Sequence, residues 1–136
     1  MCLVWDMCTI NFTNNTNSPM TLSSGTTSEG KWDTQPPASI AKSGGTGKSV
    51  GASSCGDAVN GTAGDIVYSL NDGTLVNVHF YTSYYYGIGD NSVYTIGFQG
   101  AKAAAYTSKT NSVSTTSSNG SAGKRTTWTL SVDLAP

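Results

Sequence analysis

Few residues of this 136-residue chain could carry a chemical reaction, because histidine and glutamate each occur once, as His79 and Glu29. No nucleophile is marked beside His79, and the aspartates lie singly, so paired carboxylates for glycoside hydrolysis cannot be nominated. Residues 44–49, GGTGKS, superficially resemble a phosphate-binding loop. They lack its glycine spacing and a following helix, and are interpreted as a turn. The sequence therefore predicts that the protein is not an enzyme.

Three cysteines, Cys2, Cys8 and Cys55, are too few and too irregularly spaced for a disulfide framework. With a single histidine and no C-x-x-C pair, they do not indicate a zinc site, and no cofactor or other metal is indicated. We expect mostly buried thiols. A Cys2–Cys8 or Cys8–Cys55 disulfide is the alternative, which depends on geometry that the sequence does not contain.

A tyrosine cluster, Tyr84-Tyr85-Tyr86, is the most distinctive feature that could bind a ligand. It follows a predicted strand and precedes Gly87, so it is expected on a loop. Tyrosine combines an apolar ring with a polar hydroxyl, which suits a membrane interface or the face of a sugar. We expect one of the three to fold back onto the core and the cluster as a whole to bind, with Trp5 and Trp32 as candidates to join it.

The elements that must position these residues are predicted to be strands. Residues 64–70 and 74–81 alternate apolar and polar residues around Asn71-Asp72-Gly73, which is typical of a β-hairpin. His79 is then expected on the face opposite Val76, Val78 and Phe80. This hairpin is the clearest local signal in the chain.

Further strands are predicted at 92–98 and 126–134, where Trp128 is expected in the core. A weaker hairpin is predicted from 9–13 and 20–22, around Asn17-Ser18-Pro19. No segment has the period of an amphipathic helix. Short strands joined by frequent turns favour an all-β sandwich or barrel.

Length and charge limit the remaining classes. The chain suits one domain, 1–136, with an N-terminal extension at 1–8 and a flexible Ser/Thr/Gly loop at 110–123. A net charge of −1 argues against nucleic-acid binding and against attachment to anionic lipid by charge alone. No apolar run is long enough to span a bilayer. The start lacks a signal-peptide pattern, so we expect a protein that is cytoplasmic or released without a signal peptide and acts at membrane surfaces.

An ordered set of short motifs resembles the aegerolysin family, loosely over residues 9–98 and better over 53–98. The motifs are Gly30-Lys31-Trp32, Ser54-Cys55-Gly56, Gly61-Thr62-x-Gly64, Asp72-Gly73, Val78-His79-Phe80-Tyr81, Gly87, Asn91 and Tyr94-Thr95-Ile96. Actinoporins and fungal fruit-body lectins are similar in the same region. The resemblance implies a single-domain antiparallel β-sandwich.

The same resemblance implies binding to sphingolipid-containing membranes, as the binding component of a two-component cytolysin whose pore requires a larger partner. Trp32 and Tyr84–Tyr86 would face the lipid. The candidate site for a lipid headgroup or a sugar comprises Trp32, His79, Tyr81, Tyr84, Tyr85, Tyr86, Asp90 and Asn91. A carbohydrate-binding lectin of the same superfamily is the alternative. A structural protein that self-associates through its tyrosines, as a homo-oligomer, is a further one.

Overall fold

In the part of the chain that the structure describes, ten strands form two five-stranded sheets that pack face to face. The computed structural model describes residues 7–52, 62–82, 93–116 and 124–136. The strands are β1 (Met7–Asn14), β2 (Met20–Glu29), β3 (Lys31–Thr34), β4 (Ser39–Ile40), β5 (Gly45–Ala52), β6 (Thr62–Ser69), β7 (Leu75–Thr82), β8 (Val93–Gln99), β9 (Tyr106–Thr116) and β10 (Lys124–Leu134). Sheet A has the order β3-β5-β1-β10-β9, and sheet B the order β4-β2-β6-β7-β8. The predicted all-β sandwich is confirmed.

The central hairpin is the predicted one. β6 pairs antiparallel with β7 from Thr62↔Thr82 to Ser69↔Leu75. The turn between them contains Gly73 with φ 88°, a left-handed conformation that glycine adopts without a steric penalty. His79 is exposed, whereas Val78 and Phe80 on either side of it are buried, as the alternation predicted.

The core lies between the sheets and is built from alternate residues of four strands. Its largest fully buried side chains come from β1, β10, β6 and β7, together with Met20 at the start of β2 and Ile40 at the end of β4. The buried cluster comprises Cys8, Ile10, Phe12, Met20, Ile40, Ile66, Tyr68, Leu70, Val76, Val78, Phe80, Trp128, Leu130 and Val132. Trp128 therefore has the predicted core position.

The predicted hairpin from residues 9–13 and 20–22 is wrong. β1 pairs with β5 and β10 in sheet A, whereas β2 pairs with β4 and β6 in sheet B. The connection crosses between the sheets and is held by buried Asn14. Its Nδ2 donates to Ser18 O (2.8 Å) and Ile40 O (3.2 Å), and its Oδ1 accepts from the Thr16 amide (3.0 Å). Both strands contribute apolar side chains to the core, but they do so from opposite layers.

The resemblance implied an antiparallel sandwich, and the described sheets are mostly antiparallel, with one parallel strand pair. β1 and β10 pair in parallel, from Met7↔Arg125 to Asn14↔Val132. A parallel pair needs a long connection between its strands, and here more than a hundred residues separate them. The remaining strand pairs of the described chain are antiparallel.

Three predicted boundaries change. β1 begins at Met7 and Cys8 is buried, so the last two residues of the expected extension at 1–8 belong to the sandwich. β9 continues to Thr116, so the first part of the expected loop at 110–123 is an edge strand, and 117–123 lie outside the described residues. The expected turn at 44–49 is mostly strand β5. Only Ser43 and Gly44, with φ 59° and 99°, make the turn that precedes it.

Cys8 is buried at the start of β1, where its Sγ lies 2.6 Å from Thr82 Oγ1. This contact joins the start of sheet A's central strand to the end of β7 in sheet B. Cys2 and Cys55 lie outside the described residues, so the disulfide alternatives stay predictions.

Candidate functional site

One end of the sandwich, which we call the Met7 end, gathers the strand termini that border all four undescribed stretches. In sheet A, Met7 pairs with Ala52 and Arg125. In sheet B, Thr62 pairs with Thr82, and Tyr81 pairs with Val93. The two sets are adjacent because a single residue, Gly30, joins the end of β2 to the start of β3.

The two strands that flank the tyrosine cluster in the sequence end and begin at the Met7 end. Tyr84, Tyr85, Tyr86, Asp90 and Asn91 lie outside the described residues. The chain leaves sheet B at Thr82, the end of β7, and re-enters it at Val93, the start of the neighbouring strand β8. In the sequence, these five candidate residues fall between those two positions.

Trp32 lies at the same end, but it points inward. Its strand β3 pairs with the end of β5, with Trp32 opposite Gly51. The indole is partly buried and its ring centroid lies 5.5 Å from that of Phe80, while Nε1 donates to Gly25 O over 3.3 Å. These contacts give Trp32 a packing role at the edge of the core, with part of its surface still accessible.

Trp32 is the first member of an aromatic row that crosses the interior near the Met7 end. Phe80 lies 6.4 Å from Trp128, and Trp128 lies 5.5 Å from Tyr94, measured between ring centroids. The four rings come alternately from sheets A and B. Rings at these separations pack favourably, so the row ties both sheets together just inside the strand termini.

His79 and Tyr81, the other two described candidates, lie on the outer face of sheet B. His79 Nδ1 is 2.9 Å from Asp65 Oδ1 on β6, and the two side chains are 47% and 56% exposed. Tyr81, two residues after His79 on β7, faces the same side of the sheet and is partly exposed. The pair orients the imidazole. Within the described residues, no hydroxyl or thiol is hydrogen-bonded to its other nitrogen, as a nucleophile would be.

A groove of about 570 Å³ runs across β6, β7 and β8 on this outer face. The strand registers place the outward-facing residues of the groove in two rows, Asp65–His79–Thr95 and Val67–Asn77–Gly97. Asn77 Nδ2 donates to Gln99 Oε1 over 3.2 Å at the far end. Of these seven residues, the sequence analysis found only His79. The strand alternation could have shown that the others share its face, but not which of them are neighbours.

The groove is lined by no lysine or arginine, although the described part of the chain contains several. Lys31, Lys48, Lys109 and Arg125 are exposed on strands of the opposite sheet. Negative charge in the groove comes from Asp65, which is already engaged by His79. The site therefore presents polar groups with little net charge.

Among the described residues, no group of three or more His, Cys, Asp or Glu side chains is placed to hold a metal ion. The helical structure seen there, one 3-10 turn at Ala103–Ala105, includes nothing long and apolar enough to cross a bilayer.

The fold is similar to that of two proteins of known structure. One is the lipid-binding protein Nakanori, with a TM-score of 0.68 and 14% sequence identity over 94% of this chain and 72% of that chain. The other is RahU, solved in complex with a TRIS molecule, with a TM-score of 0.63 and 14% identity over 96% of both chains. At this identity the similarity is one of fold. Neither a protein-family model nor a curated protein matches the sequence.

Proposed function

We propose that this protein is a lipid-binding module that attaches to membrane surfaces through its Met7 end. The observation that carries the proposal is the similarity in fold, over nearly the whole chain, to a protein described as lipid-binding. Its role would be binding rather than catalysis, in line with a sequence that has a single histidine and no paired carboxylates.

The proposed contact is made by Tyr84, Tyr85 and Tyr86. In the sequence they fall between Thr82 and Val93, which belong to paired strands at the Met7 end. Tyrosine suits the headgroup layer because its ring enters the apolar boundary while its hydroxyl stays hydrated. Asp90 and Asn91, which fall between the same two strands, are proposed to contact the headgroup, and the accessible part of Trp32 borders the site.

The resemblance to aegerolysins extends the proposal to sphingolipid-containing membranes and to a larger pore-forming partner. The chain itself is proposed to bind without perforating, because no segment of residues 1–136 has the apolar period of an amphipathic helix. Vesicles loaded with a fluorescent dye are therefore expected to retain it when this protein is added alone.

Liposome co-sedimentation tests the proposal. Vesicles with and without sphingomyelin or ceramide phosphoethanolamine, each with and without sterol, are compared for wild type and for a Tyr85→Ala/Tyr86→Ala variant. We expect selective binding that falls at least tenfold in the variant. Leu134→Ala is the matched control, because it removes an exposed apolar side chain, 45% accessible, at the opposite end of the sandwich.

Two results would contradict the proposal. One is the absence of binding to any of these vesicles while the protein stays folded. The other is equal binding by wild type and by the tyrosine variant, which would move the contact away from the Met7 end.

A further inference from the structure

We propose that the groove on the outer face of sheet B is a second binding site, which takes an uncharged, hydroxyl-rich ligand of the sugar type. It lies on the β6-β7-β8 surface rather than at the strand termini, so it is separate from the proposed membrane contact. Its volume of about 570 Å³ falls within the range of about 300–1,000 Å³ that is usual for small-molecule sites.

The floor of the groove is backbone that no side chain covers, because a glycine stands there. Gly97 occupies an outward position in the middle of β8, opposite Asn77, and is exposed. A Cβ built on Gly97 would meet no atom within 4 Å. Glycine weakens a strand interior and often marks a point where another molecule approaches the backbone closely. Here Thr95 and Gln99 stand on either side of it along the strand.

The polar groups around this depression are already oriented. Asp65 holds the His79 ring, and Asn77 donates to Gln99, so each side chain loses little further freedom when it binds. No other hydrogen bond among the described residues uses His79 Nε2, Asn77 Oδ1 or Gln99 Nε2. Together with the Thr95 hydroxyl they offer both donors and acceptors, which is what a ring bearing several hydroxyls requires.

The charge of the lining decides between ligand classes. A phosphate or sulfate group would be expected to meet arginine, lysine or a helix N-terminus, and none of these is among the described residues that line the groove. Asp65 would repel such an anion. An uncharged sugar makes no such demand, and Val67 and Tyr81 supply apolar surface on the same face for its C–H groups.

An NMR titration tests the site. Amide shifts of 15N-labelled protein are followed as glucose, galactose, mannose or N-acetylglucosamine is added. Because an open groove covers one side of a single ring, we expect a Kd on the order of 1 mM for the preferred sugar. The shifted amides should be those of Asn77, His79, Thr95 and Gly97.

Gly97→Val is the diagnostic variant, because it fills the depression with a strand-favouring side chain for which there is space. We expect an unchanged fold and binding at least tenfold weaker. Thr129→Val is its control, since it places the same side chain at an exposed strand position of sheet A. The proposal is overturned if no sugar shifts these amides, or if Gly97→Val binds as tightly as wild type.

Two further arms separate the sources of the sugar and keep this site apart from the membrane contact. Binding to immobilised glycans without lipid is compared with binding to vesicles that carry galactosylceramide. Loss of binding by Gly97→Val in either arm supports the site and shows which source of the sugar it takes. Gly97→Val should still sediment with sugar-free sphingomyelin vesicles, and Tyr85→Ala/Tyr86→Ala should still show the sugar-induced shifts. If both variants lose both activities, the groove is not a separate site.

Discussion

The indole ring of Trp32 packs 5.5 Å from the phenyl ring of Phe80, across the interface between the two sheets. This contact assigns a structural role to an aromatic residue that the sequence had placed against a ligand. It also places Trp32 at the start of the row of rings that closes the core near the Met7 end.

Substitution of Trp32 should therefore affect stability first. Trp32→Ala removes a partly buried ring, and we expect the free energy of unfolding to fall by about 2–3 kcal/mol. Trp32→Phe keeps an aromatic contact with Phe80 and loses the bond to Gly25 O, at a cost of about 1 kcal/mol. Urea unfolding measures both values. An unchanged midpoint for Trp32→Ala, with reduced vesicle binding, would instead show that the ring faces lipid.

The free energy of unfolding should change differently when each of two tyrosines is replaced by phenylalanine. Tyr68 is fully buried and its hydroxyl donates to Pro37 O over 2.7 Å, whereas the buried Tyr94 hydroxyl has no partner among the described residues. Burial raises the pKa of both phenols.

We expect Tyr68→Phe to lower the free energy of unfolding by about 1–2 kcal/mol, because it leaves the Pro37 carbonyl unsatisfied. Tyr94→Phe should leave it unchanged or raise it by up to about 1 kcal/mol, because a desolvated hydroxyl is removed. Chemical denaturation of the two variants provides the comparison. An equal loss in both would mean that Tyr94 has a partner in the folded protein.

Replacing either of two glycines by alanine should have different effects on stability. A Cβ at Gly64 would clash with Thr26 O and lie 2.9 Å from Phe80 Cζ, whereas a Cβ at Gly97 would meet nothing. Gly64→Ala is expected to cost about 1–3 kcal/mol of stability through overpacking. Gly97→Ala is expected to be neutral or to stabilise by up to about 1 kcal/mol. Thermal unfolding measures the stability of both variants. A destabilised Gly97→Ala would argue against an open floor in the groove.

At the end opposite Met7, the Tyr106 hydroxyl donates to Asp72 Oδ2 over 2.6 Å. This bond, followed by one from the Thr74 amide, lowers the pKa of Asp72. Partial burial, followed by the Asp72 carboxylate, raises the pKa of Tyr106 to about 12. The two shifts have opposite consequences for stability as the pH changes.

Asp72 binds its proton less readily in the folded chain, so its contribution is present above the ordinary carboxyl pKa of about 4 and is lost as the pH falls through the lowered value. The contribution of Tyr106 is present below the ordinary phenol pKa of about 10 and is lost as the pH rises through about 12. Tyr106→Phe should flatten the pH dependence of stability at both extremes. In an ultraviolet titration, this variant should lack one late-ionising phenol, and an unchanged titration curve would contradict the assignment.

Much of sheet B could be predicted because its signals are local. Alternation from Ile66 to Phe80 around Asn71-Asp72-Gly73 determines the hairpin, its inward face and the outward direction of His79, since side chains alternate along any strand. The sandwich class followed from the same patterns and from the ordered motifs. Tyrosine in three consecutive positions is likewise a property of the sequence alone.

Strand partners could not be predicted, because a pattern of period two states which face is buried but not which strand lies opposite. β1 and β2 looked like a hairpin because a short link with Pro19 joins two inward-facing strands, yet each completes a different sheet. β9 looked like a loop because it is rich in serine and threonine, and its pairing with β10 supplies the order that its own residues do not signal.

The residues of the candidate groove also could not be grouped from the sequence. Asp65, Asn77 and Gly97 are far apart in the sequence and become neighbours only through the registers of β6, β7 and β8. A shift by one residue would turn these side chains toward the core. The sequence by itself determined the central hairpin, the face that each of its strands buries and the tyrosine cluster. The tertiary structure decided which strands meet, that Trp32 packs inward and that a groove forms over Gly97, because each of these depends on contacts between distant segments.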